Sequence, residues 1–219
     1  MSQPAPHTAV QTIDAASNER VDDGDWEAYY KVVCTRPPRE LLRHALMLFP
    51  RAPIGSRLAI DIGCGAGNET LELLRQGWNV LAIDQEPAAI RRLRDAVADA
   101  DRPRLQLYAG SIIGNVLPKA DLIWAGLSLP FVARSDLDNV WTTVADALKT
   151  GGRFAGDFFG TRDAWAWEEG MSFFTQKELK ALLKPLAIEY FMTEHGARPT
   201  ATQGVKRSHA FAVIARRKG

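Results

Sequence analysis

The sequence predicts an α/β fold: seven short strands in a mostly parallel sheet, helices packed against it, and a last strand that runs antiparallel. Three observations carry this. From Arg57 onward, short apolar runs alternate with amphipathic segments. A glycine-rich turn follows the first of those runs and opens a helix. The last two apolar runs are joined by Thr193 to His209, a stretch containing Gly and Pro that leaves no helix for a parallel crossover.

Residues 1–22, rich in Ala, Ser, Pro, Gln and Asn, show no period and read as a flexible tail. Residues 23–219 read as one domain, with 23–56 as an N-terminal lid or helical segment. Aromatics gather at Trp26, Tyr29 and Tyr30, ahead of any core element. Pro37-Pro38 then leads into a helix over Arg39 to Phe49, with Leu41, Leu42, Ala45, Leu46 and Phe49 at helical spacing. Leu58–Ile62 reads as the first buried strand. Glu69–Gln76 reads as a helix that Gly77 closes. Val80–Ile83 is the second strand, and Pro87–Ala98 a helix with Ile90, Leu93 and Val97 on one face. Leu105, Leu107 and Ala109 alternate as the third strand, and Leu122–Ala125 is the fourth. Leu137–Leu148 reads as a helix that Thr150-Gly151-Gly152 breaks. Arg153–Phe159 is the fifth strand. Thr175–Leu183 is a helix whose Thr175 and Glu178 have capping-box spacing. Leu186–Met192 and Ala210–Ala215 close the sheet.

Composition narrows the function classes. The chain has 219 residues, 46% hydrophobic and 24% charged, and 27 Lys and Arg against 26 Asp and Glu leave a net charge of +1. That excludes wholesale disorder and a disulfide scaffold, and it does not suit a uniformly basic nucleic-acid binder. No apolar run reaches the ~18 residues of a membrane helix. The N-terminal stretch lacks the apolar core of a secretory signal. With only Cys34 and Cys64, no stapling framework is expected, and a cytoplasmic location follows. No His, Cys and carboxylate grouping has metal-ligand spacing, so no metal is expected.

The strongest local signal is Leu58-Ala-Ile-Asp61-Ile-Gly63-Cys-Gly65-Ala-Gly67-Asn-Glu69. Glycines two apart let the backbone turn sharply and leave no side chain over a ligand. The helix that follows presents free N–H groups, a place for a nucleotide-like or anionic group. A dinucleotide fingerprint needs a further glycine where Asn68 stands, which argues against a nicotinamide-dependent oxidoreductase. Asp84 follows the second strand, 21 residues after Gly63, where an acid can accept from ribose hydroxyls.

At these residues the sequence resembles the class I methyltransferases that use S-adenosylmethionine. The resemblance runs from about Trp26 to the C-terminus. It includes Ala109-Gly110-Ser111-Ile112, Ala120-Asp121-Leu-Ile-Trp124 and Leu148-Lys-Thr-Gly151-Gly152-Arg-Phe. Within the class it is most similar to the small tellurite-resistance-type methyltransferases. That likeness rests on Pro37-Pro38-Arg39-Glu40-Leu41, Ser128-Leu129-Pro130-Phe131 and Lys206-Arg-Ser-His209-Ala-Phe211. Of that group's late Lys-His-Trp-His pattern, Lys206 and His209 match.

The resemblance implies a Rossmann-like three-layer sandwich and S-adenosyl-L-methionine as cofactor. It implies that Gly63, Gly65 and Gly67 line the methionine part and that Asp61 holds its amino group, directly or through water. Asp84 takes the ribose, Gln85 lies beside the adenine, and Ser111 and Ile112 border it. Ala125, Gly126 and Leu127 sit near the sulfonium. Arg36 follows the aromatics and is a candidate for a carboxylate of the cofactor or the acceptor. Tyr29 and Tyr30 could wall the acceptor site, with Phe131 and Trp165 as further acceptor contacts. Asp157 and His209 are the candidate catalytic groups. The expected partner is a small-molecule acceptor, with no nucleic acid and no membrane, and the protein is expected as a monomer or homodimer. A protein that binds the cofactor without catalysis is the main alternative.

Overall fold

A computed structural model describes residues 33–199 and 205–219. The expectations for the 1–22 tail, for Trp26, and for Tyr29 and Tyr30 lie outside the described residues.

The elements follow the predicted alternation. Helix α1 (Glu40–Met47) precedes β1 (Leu58–Ile62), α2 (Asn68–Arg75), β2 (Asn79–Asp84), α3 (Pro87–Ala96), β3 (Leu105–Ala109) and β4 (Ala120–Ala125). Next come α4 (Arg134–Ala147), β5 (Leu148–Gly160), a two-residue β6 (Phe173–Phe174), α5 (Gln176–Leu182), β7 (Leu186–Pro199) and β8 (Val205–Arg217). The sheet order is β3-β2-β1-β4-β5-β8-β7, with β6 beside the end of β5. Every pairing from β3 to β5 is parallel, and β8 runs antiparallel to both β5 and β7. The expected seven strands and the antiparallel last one are present, and β6 is an addition that its two residues hid.

Alternation across the strands divides the core in two. Phe154 and Phe158 of β5 join Phe211 and Val213 of β8 under α4 and α5. Ala155 and Ile214 point the other way, among Leu42, Leu73, Ile90 and Leu93 of α1 to α3. Trp141 of α4 packs edge-on against Phe154 at 5.0 Å and donates its indole N–H to the Leu182 carbonyl at 2.8 Å. The Thr175 hydroxyl caps α5 by accepting from the Glu178 N–H, as the spacing predicted.

Two boundaries differ from the sequence expectation. Helix α4 ends at Ala147, and Thr150-Gly151-Gly152 lies inside β5 rather than beyond a helix. The glycines accommodate a register irregularity against β4. Gly151 has φ +78°, and a Cβ on Gly152 would fall 2.9 Å from the Lys149 carbonyl and 3.0 Å from that of Ala120. Strands β7 and β8 also extend well past the apolar cores that announced them, because backbone pairing continues through polar residues.

Candidate active site

In this sheet the strand order reverses between β1 and β4, and the crevice beyond their carboxyl ends is where ligands bind such folds. A cavity of about 220 Å³ opens there. Its walls are the 63–69 turn, Asp84 to Glu86 after β2, Gly110 to Ile113 after β3, Gly126 to Val132 after β4, and Val33, Arg36 and Arg39.

The turn is shaped by its glycines and tied to β2. The Gly63 and Cys64 N–H groups donate to the Ile83 carbonyl at 2.8 and 3.0 Å. Gly63 has φ +72°, and a Cβ there would lie 2.4 Å from the Cβ of Ser128. Gly67, at φ +87°, stands at the N-cap of α2, where a Cβ would meet Leu93 at 2.7 Å. Both positions therefore exclude any side chain. Asp84 reaches back across the turn. Its Oδ2 accepts from the Gly65 N–H at 2.8 Å and its Oδ1 from the Glu86 N–H at 2.9 Å. Burial pushes its pKa up, and those two bonds oppose the rise.

Asp61 lies beneath the turn, 1% exposed, and does not reach the cavity lining. The Thr70 hydroxyl donates to its Oδ2 at 2.6 Å. Burial raises its pKa to about 8, with Glu69 and Asp84 adding to the rise and Thr70 opposing it.

Asn68 and Glu69 carry a function that the sequence did not disclose. Asn68 Nδ2 donates to the carbonyls of Val33 at 2.7 Å and Arg36 at 3.0 Å. The Arg36 fork closes on Glu69 at 2.8 and 3.0 Å, and Glu69 Oε1 also accepts from the Arg39 N–H at 3.1 Å. Together they pin the 33–39 strap over the turn. The carboxylate that Arg36 meets is thus Glu69 of its own chain. The signal was Asn68 in the place of a third glycine.

On the other wall, Ser111 and Ile112 stand at the cavity, with the Ser111 hydroxyl accepting from the Ile113 N–H at 3.1 Å. Gln85 and Phe131 also line it. Ala125 is fully buried and stays behind the wall that Gly126 and Leu127 make. Leu127 has φ +56°, the one non-glycine with positive φ among the described residues. Such a conformation costs about 1–3 kcal/mol and collects at functional sites. Asp157 on β5 is held near the Leu127 backbone but is not among the residues that line the cavity, and burial raises its pKa to about 6.

Asp157 and His209, the two candidate catalytic groups, lie on opposite faces of the sheet. Asp157 pairs with Ala212, whereas His209 alternates with Phe211 toward the other core. His209 is 4% exposed and stacks on His195 at 4.4 Å. Its Nδ1 accepts from the Arg162 N–H at 3.0 Å, which places any proton of the neutral ring on Nε2. Burial, with His195 and Arg162, holds its pKa below the usual value. Trp165 is also away from the cavity lining. Its ring is covered by Lys206, whose Nζ lies 3.4 Å from the centroid and 2.7 Å from Asp163 Oδ1. Asp163, another residue the sequence did not flag, also accepts from the N–H groups of Trp165 at 3.1 Å and His209 at 2.9 Å.

The comparisons agree with this architecture. A family model described as a methyltransferase domain matches residues 60–154, from β1 to the middle of β5. A curated relative, the magnesium-protoporphyrin O-methyltransferase of Rhodobacter capsulatus, is 32% identical over 109 residues, 49% of this chain and 48% of that protein. The chain thus spans about half the length of the curated relative it matches. TehB of Haemophilus influenzae superposes with a TM-score of 0.68 at 17% identity, over 82% of this chain and 62% of that one. A TehB-like methyltransferase of Corynebacterium glutamicum gives 0.63 at 18% identity, over 89% and 97%. The N-methyltransferase NodS of Bradyrhizobium japonicum, crystallised with S-adenosylhomocysteine, gives 0.62 at 18% identity, over 90% and 100%. These likenesses establish the methyltransferase domain's fold as the one the sequence resembled.

Proposed function

We propose that the chain binds S-adenosyl-L-methionine in the cavity beyond β1 and β4 and transfers its methyl group in line to a small-molecule acceptor. The observation that carries this is Asp84. Two backbone N–H groups hold its carboxyl at the end of β2, at the cavity wall and across from a turn whose glycines leave room for a ligand. Each of its oxygens keeps a lone pair for a ribose hydroxyl.

The residues fit the cofactor. Gly63, Gly65 and Gly67 hold the methionine part. Gln85, Ser111 and Ile112 border the adenine. Asp61 contributes its charge to the amino group from beneath the turn, and Arg36 braces the strap by which Val33 and Arg39 cover the cavity. The sulfonium supplies an activated methyl group when bound. What the protein adds is position and the exclusion of water. Phe131, on the cavity wall, is assigned to the acceptor. The near-neutral net charge of +1 suits a small acceptor rather than a nucleic acid. A reducing cytoplasm suits the two free thiols, Cys34 and Cys64. No helix among the described residues is long and apolar enough to cross a membrane.

Calorimetry with S-adenosylhomocysteine tests the reading. Binding is expected, and at a hundred times its Kd the ligand should add about 2.7 kcal/mol of stability. No heat and no thermal shift with folded protein would falsify it.

A further inference from the structure

Four buried side-chain polar atoms lack a hydrogen-bond partner among the described residues: Arg36 Nε, Arg92 Nε, Ser128 Oγ and Asp157 Oδ2. Arg36 already gives its other nitrogens to Glu69 and the Pro37 carbonyl, and neither Arg92 nor Asp157 lines the cavity. Ser128 does line it, and its hydroxyl is committed to nothing. A hydroxyl shut away from water with no partner is unfavourable, so its presence in a native fold calls for an explanation. On a cavity wall, a ligand that brings the missing partner supplies one.

The loop after β4 holds Ser128 in place. Leu127 before it takes the left-handed conformation at φ +56°. Ser128 then stands at the N-cap of the 3₁₀ turn Leu129–Phe131, and its carbonyl accepts from the Phe131 N–H at 3.0 Å, yet its hydroxyl makes no cap bond. A serine that begins a helix ordinarily turns its oxygen back to the first N–H groups. Ser172, fully buried, fixes the far side of this turn. Its N–H donates to the Pro130 carbonyl at 2.8 Å and its hydroxyl to the Val132 carbonyl at 2.6 Å. Ser128 is thereby set against the first glycine after β1. A Cβ on Gly63 would lie 2.4 Å from Ser128 Cβ and 3.3 Å from Oγ, so the missing side chain at Gly63 makes room for this serine.

We infer that Ser128 Oγ accepts a hydrogen bond from the ammonium at the amino-acid end of the bound ligand, and so helps to fix the methyl donor in the cavity. This rests on the binding of S-adenosylmethionine proposed above, in which the Gly63 turn holds the methionine part. Charge favours the ammonium over the carboxylate of that end. Asp61 lies two residues before Gly63, buried beneath the turn. A cation above the turn is attracted by its ionised form, and a carboxylate there is repelled. Asp61 does not itself reach the cavity lining, so the ammonium, with three N–H donors, needs an acceptor on the wall. Ser128 Oγ, beside Gly63, has its lone pairs free for that bond, which the charge on the donor strengthens.

Ser128→Ala keeps the Cβ that packs against Gly63 and removes only the hydroxyl, so it tests the bond without reshaping the wall. The probes are S-adenosylhomocysteine, its decarboxylated analogue, which keeps the ammonium, and its deaminated analogue, which keeps the carboxylate. Calorimetry on the full chain reads each affinity, with weak ligands measured by displacement of S-adenosylhomocysteine. The substitution should weaken the first two by roughly tenfold to a hundredfold, the range for a hydrogen bond to a charged group, and leave the third within about twofold. No loss for any probe, or equal loss for all three, overturns the inference. Loss for S-adenosylhomocysteine and the deaminated analogue alone assigns the hydroxyl to the carboxylate and overturns it as well. Without ligand, Ser128→Ala should melt at or above the wild-type temperature, because it sheds a buried group that had no partner. A fall of several degrees would reveal a partner within the fold and count against the role. Absent binding of S-adenosylhomocysteine to the wild type removes the underlying reading instead, a separate result.

Discussion

The half of the sheet built from β1, β2 and β4 and the half built from β5, β8 and β7 solve different problems. In the first half, two buried carboxylates, Asp61 and Asp84, each bond a group within ten residues downstream. Asp84 bonds Glu86, two residues on, and Asp61 bonds Thr70, nine residues on. In the second half, the polar residues are joined across long stretches of chain. Asp163 holds Lys206 and the His209 N–H, 43 and 46 residues away. The first arrangement leaves Asp84 on the cavity wall, whereas Asp163 of the second lies away from it. The lesson is that a buried polar cluster marks a site only when part of its bonding capacity is left open. Asp163 has its oxygens filled by three donors, while Ser128 Oγ on the cavity wall has none.

The largest effect should come from breaking the filled cluster. Asp163→Ala leaves Lys206 beneath its aromatic cover without its carboxylate, together with two orphaned N–H groups. Removing one partner of a buried pair costs about 3–5 kcal/mol. Chemical denaturation should show that loss, while S-adenosylhomocysteine affinity changes less than about twofold. A large change in affinity would contradict the division between the halves. The converse experiment is Asp84→Ala, which should weaken that ligand by roughly a hundredfold, or about 2.7 kcal/mol. Calorimetry would read it, and unchanged affinity would remove the ribose role.

Asp61 links stability, pH and binding. Its folded pKa of about 8 lies above the ordinary value of 3.8, so the folded protein holds a proton that the unfolded chain releases. The group therefore destabilises the ligand-free protein progressively as pH rises from about 4 through 8. Asp61→Asn should raise the melting temperature at pH 8 and above, by about 2–4 °C for each kcal/mol relieved. The same substitution should weaken S-adenosylmethionine, because a cationic ligand favours the ionised carboxyl. In the wild type, binding at pH 7 should release protons, and calorimetry in buffers of different ionisation heat would count them. Proton uptake would reverse the assignment.

How much of this was legible follows the same division. Leu58–Ile62 as a strand and the glycine turn were readable because each is a short segment whose chemistry is local. Helix α5 was readable from Thr175 and Glu178, whose reciprocal capping bonds span three residues. The outer parts of β7 and β8 were not, because Glu194 to Ala197 and Val205 to Ser208 carry no continuous apolar signal although their backbones stay paired. Thr150-Gly151-Gly152 looked like a helix stop because a bulge and a break use the same residues. Asp163 was invisible for a simpler reason: one Asp in a loop gives no hint of donors more than forty residues away.

His209 gives the smallest expected effect and the finest test of the comparison. Its position in the late segment suggested catalysis, but its ring faces the core opposite to Asp157, and Nδ1 is committed to the Arg162 N–H. A Cβ on Gly160 would fall 2.2 Å from Nδ1, so the ring occupies space that this glycine leaves to it. Its work is therefore to close the end of β5 against β8. His209→Asn keeps a short acceptor near the position of Nδ1 while removing the imidazole. Stability should fall by about 1–2 kcal/mol, within the range for a lost buried contact and a weakened hydrogen bond. The pH dependence of methyl transfer should stay as in the wild type, since His209 does not line the cavity. A profile that loses its acid limb in His209→Asn would return the ring to the catalytic machinery.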